Sequence, residues 1–171
     1  VINILLVGEE NVYNDSFGRS DSMMIATING KEKSLKLTSL MRDIYISIPG
    51  YLPNKLNAAY NNGGGKLLTD TVEQNFGIPI DGYVTVNFQG LEDIIDILGG
   101  VEIEITPDEL TYINGYIDHI DKNNGTTTEH IYNSGKQLLN GTQASAYCRI
   151  RYTDGRDFKR TERQRDVLNA L

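Results

Sequence analysis

Apolar residues in the chain cluster and alternate in the way that β-strands require. Runs of this kind predict strands at residues 1–7, 23–28, 34–40, 83–88 and 101–105. The second and third of these strands would form a hairpin through a turn at Asn29-Gly30. The hairpin leads directly into Arg42 and Asp43, so we expect these two charged side chains at the end of a strand.

Helical spacing of apolar residues alternates with these strands. It predicts helices at residues 55–60, 68–76, 91–98 and 143–147, and a last helix N-capped by Asp157. Glycines 63–65 are expected to form a turn between the first two helices, and residues 149–152 are expected to be extended. The pattern fails over residues 106–134, which predicts a long surface excursion without an assigned function. Strands alternating with helices predict an α/β fold, a three-layer α/β/α sandwich with a central mixed β-sheet flanked by helices.

Composition narrows the classes of function. The chain has 171 residues, 39% of them apolar and 23% charged, which is typical of a globular protein, and we expect one domain over residues 1–171. A net charge of -7 argues against nucleic acid as a partner. The single cysteine, Cys148, excludes an internal disulfide, and two histidines leave oxygen atoms as the expected ligands of any metal. Because the chain starts at Val1 inside a strand, we expect it to be a piece of a longer protein.

Arginines are concentrated near the end of the chain. Six of the eight lie in one segment, namely Arg149, Arg151, Arg156, Arg160, Arg163 and Arg165. On an extended segment Arg149 and Arg151 would point to the same side, while Arg160, Arg163 and Gln164 would share one face of the following helix. Both sets could converge on one anion, and the planar guanidinium suits phosphate oxygens. The alternative is a solvated face that Asp154, Glu162 and Asp166 neutralise.

Two carboxylates are expected near neighbouring strand ends. Glu10 follows the first predicted strand and Asp21 precedes the second. Mg2+ takes one or two carboxylates plus phosphate oxygens and water, so this pair beside arginines would suit a Mg2+ bound to a phosphate. The alternative is that these are loop acids facing water, and that Arg42 and Asp43 form an ordinary surface ion pair.

A series of motifs, in order from end to end, resembles the LytR-CpsA-Psr family. The motifs are NILLVG at 3–8, GRSDSMM at 18–24, SLMRD at 39–43, KLNAAY at 55–60, DILGGV at 96–101, LNG at 139–141, RIRY at 149–152 and DFKRTERQR at 157–165. The resemblance implies a mixed sheet between helices and a long apolar pocket that holds a polyprenyl phosphate lipid. It also implies transfer of a glycopolymer from a polyprenyl pyrophosphate carrier to a peptidoglycan sugar hydroxyl, as a phosphodiester, during cell wall assembly.

The resemblance also assigns roles to residues of this chain. It implies pyrophosphate contacts from Arg19, Arg42, Arg149, Arg151, Arg160 and Gln164, to which we add Arg163 because it shares the predicted helix face. Asp21 is the implied Mg2+ ligand, and Glu10 stands where the family usually has aspartate, so its longer side chain would move the ion unless the backbone adjusts. Arg42 and Asp43 are the implied catalytic residues; Asp43 would either orient Arg42 or act as the base for the attacking hydroxyl.

The family resemblance also implies a location in the cell, and other activities remain as alternatives. Family members have an N-terminal membrane helix and a catalytic domain outside the cell, so we expect a missing anchor and a place on the outer face of the cytoplasmic membrane of a Gram-positive-type bacterium. Hydrolysis of the pyrophosphate lipid is one alternative activity. A non-catalytic module that binds the lipid or the glycopolymer is another. A DNA-binding role is opposed by the net charge and by the absence of a helix-turn-helix pattern.

Overall fold

The computed structural model describes residues 1–9, 17–18, 20–151 and 156–171, with the backbone alone for 156 and 157. These residues form two compact units, Val1–Phe88 and Gln89–Leu171. The expectation of one domain over the whole chain stays a prediction.

The first unit is built on a four-stranded mixed sheet. Its strands are β1 (Ile2–Glu9), β2 (Ser20–Asn29), β3 (Ser34–Leu40) and β6 (Gly82–Asn87). The spatial order is β3-β2-β1-β6, in which β2 is antiparallel to both neighbours and β6 is parallel to β1. A second, two-stranded sheet pairs β4 (Tyr45–Ile46) with β5 (Asn54–Lys55). The predicted hairpin and mixed sheet are therefore present.

Helix α1 (Leu56–Phe76) connects β5 to β6 and covers one face of the sheet. Gly63 and Gly64 interrupt it with non-helical backbone angles, and Gly64 has a φ of +64°. This break confirms the predicted glycine turn between two helices. The core of the unit lies between the sheet and α1, where Leu5 and Val7 of β1 pack with Leu56, Leu68 and other apolar residues.

The second unit combines four helices with a two-stranded sheet. Its elements are α2 (Phe88–Ile97), β7 (Val101–Ile105), α3 (Pro107–Asn124), β8 (Gly135–Leu139), α4 (Gly141–Arg149) and α5 (Arg156–Ala170). Strands β7 and β8 pair antiparallel. Helix α5 begins at Arg156, one residue before the predicted cap Asp157, whose side chain lies outside the described residues. Across the described residues, every helix is too short or too polar to cross a bilayer.

Residues 106–134 are not the predicted surface excursion. They contain α3, whose start is fixed by a capping box: Glu109 N donates to Thr106 Oγ1, and Thr106 N donates to the Glu109 carboxylate. Ile113, Ile117 and Ile120 bury one face of this helix in the core of the second unit. The prediction failed because the stripe of Leu110, Ile113, Ile117 and Ile120 is set among many polar residues and Gly115, and these outweighed the helical spacing.

Candidate functional site

An irregularity at the end of β1 places Asp21. Gly8 pairs with Ser22 and Glu9 pairs with Ser20, so Asp21 is an extra residue of β2 without a partner of its own in this register. Such bulges redirect a side chain at a sheet end. The end of β3 lies beside the start of β2, because Leu40 pairs with Met23. Arg42, two residues beyond Leu40, therefore lies beside Asp21.

The guanidinium of Arg42 is held by two carboxylates. Its Nη1 donates to Asp21 Oδ1, and its Nε donates to Asp43 Oδ2 over a longer distance of 3.4 Å. The side chain is 29% exposed, so it can reach a ligand while both contacts persist. Burial alone would lower the pKa of Arg42, but the two carboxylates together outweigh it and raise the pKa. The group is a fixed positive charge with a defined orientation.

Asp43 is also bound by Lys55, the last residue of β5. Lys55 Nζ lies 2.8 Å from Asp43 Oδ1, and this hydrogen bond is the main reason that the pKa of Asp43 is lowered, with Arg42 contributing to the same effect. Asp43 is therefore ionised at neutral pH and accepts hydrogen bonds from two cations. In the sequence, Lys55 was noted only as the first residue of a family motif. Its contact with Asp43 could not be predicted, because it depends on the pairing of β4 with β5.

Glu9 was missed by the sequence analysis. It continues the core-facing row of Leu5 and Val7, so a carboxylate stands at the end of the buried face of β1. The Tyr60 hydroxyl donates to Glu9 Oε2 over 2.7 Å. Burial, reinforced by the Glu9 carboxylate, raises the pKa of Tyr60. A polar residue at the end of an otherwise apolar alternation was the signal available in the sequence.

Two predicted site residues of the first unit, Glu10 and Arg19, lie outside the described residues. Within the described part, no group of three or more His, Cys, Asp or Glu side chains is arranged to hold a metal. Mg2+ does not need such a group, since it takes one or two carboxylates and completes its shell with phosphate and water oxygens. Asp21, a partly exposed carboxylate at a bulge, is a donor of the right chemistry.

Arg149 and Arg151 are not two positions of one extended segment. Arg149 is the last residue of α4 and is followed by Ile150 with φ -59° and ψ 125°, while Tyr152 lies outside the described residues. The predicted common direction of the two arginines therefore does not follow, because side chains two residues apart share a direction only where both residues belong to an extended strand, and Arg149 is helical. Helix α4 continued further than its short apolar pattern indicated. Arg151 is exposed.

Arg160 and Arg163 of α5 are buried rather than solvated. Arg160 is 5% exposed and Arg163 is 3% exposed, whereas Gln164 is half-buried. The Nε of Arg163 lies 2.7 Å from Glu109 Oε1, and its Nη1 donates to the carbonyl of Ile150 over 3.0 Å. The geometry of the described residues thus does not support the predicted pyrophosphate contact of Arg163. It also argues against the alternative of a solvated face for these two arginines.

A buried carboxylate lies near Arg149. Glu92 of α2 is 4% exposed, and burial raises its pKa, against the opposing effects of Ser145 and Arg149. Its backbone is so close to Gly141 that a Cβ at 141 would lie 2.3 Å from the Glu92 carbonyl oxygen.

Cys148 is fully buried, and burial raises the pKa of its thiol to about 12, which suits a packing role.

Comparison with known proteins decides the family. The model of the LytR_cpsA_psr family matches residues 1–171. The chain belongs to this family. It is 37% identical, over 99% of its length, to the polyisoprenyl-teichoic acid–peptidoglycan teichoic acid transferase TagV of Bacillus subtilis, and covers 42% of that relative. It is 39% identical, over 90% of its length, to the transferase TagU of Enterococcus faecalis, of which it covers 46%.

A solved family structure has the same fold. The LytR-CPS2A-psr family protein YwtF (TagT) with bound octaprenyl pyrophosphate lipid superimposes with a TM-score of 0.76 at 33% identity, over 99% of this chain and 62% of that one. The predicted α/β class with a central mixed sheet is thereby confirmed. The chain spans less than half the length of the two curated relatives.

Proposed function

We propose that this chain carries the transfer step of a glycopolymer–peptidoglycan ligase. Its substrate would be a teichoic acid or similar chain on a polyprenyl pyrophosphate carrier, and its acceptor a sugar hydroxyl of peptidoglycan. The observation that carries the proposal is the fixed Arg42 guanidinium at a sheet end, in a chain that is 37–39% identical to teichoic acid transferases over 90% or more of its length. The same names support a place in the cell envelope.

The reaction is a phosphoryl-type transfer. The acceptor hydroxyl oxygen forms a bond to the phosphorus that bears the glycopolymer, the bond from that phosphorus to the bridging oxygen of the pyrophosphate breaks, and polyprenyl phosphate leaves. The proton of the hydroxyl passes to the departing phosphate, directly or through water. In such reactions most catalysis comes from positioning the groups and neutralising developing negative charge. Arg42 is suited to both tasks because its charge is permanent and its orientation is held by Asp21 and Asp43.

Asp43 is proposed to orient Arg42 rather than to accept the proton of the hydroxyl. A general base works best when its pKa lies near the working pH. Hydrogen bonding from Lys55 and the charge of Arg42 move the pKa of Asp43 in the opposite direction, below its ordinary value. Its carboxylate is also already engaged by both cations.

Mg2+ is part of the proposal. Asp21 would hold it together with Glu10, and the ion would supply further charge neutralisation at the pyrophosphate. In the second unit, Arg149, Arg151, Arg160 and Gln164 are proposed to contact phosphate oxygens, as the family resemblance implies. Arg163 is left out of this set because its guanidinium is engaged by Glu109 and Ile150.

A turnover assay with a lipid-linked teichoic acid tests the proposal. We expect polymer-linked peptidoglycan and polyprenyl phosphate as products, with formation dependent on Mg2+ and lost in Arg42→Ala. Lys66→Ala is the matched control, because Lys66 forms an exposed ion pair with Asp70 in the same unit, 3.0 Å long. Lipid phosphate release that is independent of the acceptor would indicate a hydrolase. Binding without any release would indicate a lipid-binding module, and either result would overturn the proposal.

A further inference from the structure

The buried ion pair of Glu109 and Arg163 connects three parts of the second unit. Glu109 belongs to the first turn of α3, Arg163 belongs to α5, and the guanidinium of Arg163 also contacts the residue that follows α4. We propose that Glu109 and Arg163 are positioning residues that fix the backbone between Arg149 and Arg151 for pyrophosphate binding. This inference rests on the proposed function, since it makes Glu109 and Arg163 the support for Arg149 and Arg151, which are proposed to contact the phosphates.

The first step of the argument is that Glu109 is itself fixed. Its two carboxylate oxygens have different partners: Oε2 accepts from Thr106 N over 2.9 Å, and Oε1 accepts from Arg163 Nε over 2.7 Å. The first contact is half of the capping box that starts α3. Glu109 therefore cannot rotate to follow Arg163 without breaking that cap, and it acts as a rigid anchor.

The second step is that Arg163 transmits this anchor to Ile150. Its Nη1 donates to the Ile150 carbonyl over 3.0 Å, and its guanidinium lies over the ring of Tyr147, 5.9 Å from the ring centroid. The donors of a guanidinium are coplanar and fixed relative to one another, so the direction to Glu109 sets the direction to Ile150. A lysine has a single charged nitrogen on a flexible chain and cannot hold both groups in this geometry.

The third step is that the position of Ile150 determines the positions of Arg149 and Arg151. The last carbonyl groups of a helix have no N–H donor within the helix. The carbonyl of Ile150, at the end of α4, accepts a hydrogen bond from Arg163 instead. Ile150 is fully buried and stands between Arg149 and Arg151 in the chain. Its fixed peptide therefore sets the starting points of both side chains. Arg160 lies one turn before Arg163 on α5, so the same contact also fixes the rotation of that helix.

A double-mutant cycle separates positioning from plain stabilisation. The probe is octaprenyl pyrophosphate, and its dissociation constant is measured for the unmodified chain, Glu109→Gln, Arg149→Ala and the double variant. Because small displacements of binding groups are costly, we expect Glu109→Gln to weaken binding by about tenfold. In the Arg149→Ala background the same change should weaken binding less, since one of the side chains that it misplaces is gone. Arg163→Lys should reproduce the loss, because it keeps the charge but not the fork.

The control variant is Glu102→Gln, which breaks an exposed ion pair with Lys136 of 3.1 Å in the same unit. It should leave the dissociation constant unchanged. Thermal unfolding of every variant is recorded so that binding is compared between folded proteins. If Glu109→Gln and Arg163→Lys lower the unfolding temperature without changing the dissociation constant, the pair is structural only and the inference is wrong.

Two further outcomes would also overturn the inference, and each can be recognised. An undiminished effect of Glu109→Gln in the Arg149→Ala background would mean that the pair of Glu109 and Arg163 does not act through Arg149. Failure of the unmodified chain to bind octaprenyl pyrophosphate would refute the proposed function itself, and that result precedes any comparison of variants.

Discussion

Replacement of Asp43 by asparagine distinguishes its two candidate roles. Asp43→Asn keeps the size of the side chain and an oxygen that can accept from Arg42 Nε, but it removes the negative charge and any capacity to act as a base. Lys55 would lose its charged partner as well, although both side chains are about half exposed, so the cost to folding should be small.

The expected loss of transfer rate in Asp43→Asn follows from the geometry of the hydrogen bond between Arg42 and Asp43. The Arg42 Nε to Asp43 Oδ2 distance of 3.4 Å is long for a hydrogen bond, and the stronger contact of Arg42, to Asp21, remains in the variant. Weakening one such bond costs about 0.5–1.5 kcal/mol, which corresponds to roughly a 2- to 12-fold loss of rate. Loss of a general base would instead cost about 100- to 10,000-fold. The two ranges do not overlap.

The assay is single-turnover transfer from a lipid-linked glycopolymer to peptidoglycan, followed from about pH 5 to about pH 9. We expect a modest loss of rate and an unchanged shape of the pH profile, because the lowered pKa keeps Asp43 ionised throughout this range. A loss above about 100-fold in a folded variant, or the disappearance of a limb of the pH profile, would refute the orienting role.

Three other predictions concern the second unit. Ile117→Ala should destabilise it by about 2–5 kcal/mol in urea unfolding, since Ile117 is fully buried in a helix that the sequence pattern hid; a change below about 1 kcal/mol would contradict the packing of α3. Gly141→Ala should cost about 1–3 kcal/mol, because its Cβ would press on the Glu92 backbone, whereas Gly115→Ala has open space and should be neutral or stabilising; equal unfolding midpoints for the two would contradict this. Thr126 and Thr128 donate hydrogen bonds to the Asp121 carboxylate at the end of α3 and lower its pKa. These bonds stabilise the fold above the ordinary aspartate pKa and are lost as pH falls through the lowered value. Asp121→Asn should therefore reduce stability more at about pH 7 than at about pH 3, and an equal effect at both would refute the assignment.

Much of the fold could be predicted from the sequence, because burial on a sheet or helix face imposes a short period on the chain. The strands of the mixed sheet, the hairpin and the glycine break in α1 are all visible in such patterns. Helix α3 was missed because its apolar stripe of Leu110, Ile113, Ile117 and Ile120 is set among many polar residues, and because its start depends on the cap between Thr106 and Glu109. For the site, the motifs selected Asp21, Arg42 and Asp43, which the structure brings together.

The sequence by itself therefore determined the family, through its series of motifs. It also supplied the residue types that the proposed chemistry needs, arginines that suit phosphate and carboxylates that suit Mg2+. Which arginines are buried, and which carboxylate each one contacts, was decided by tertiary structure alone. Arg163 carries the same charge as its neighbours, but its partner Glu109 lies 54 residues earlier in the chain. Local periodicity cannot report a contact of that separation, since the tertiary structure brings the first turn of α3 to the middle of α5, where the two side chains are 2.7 Å apart.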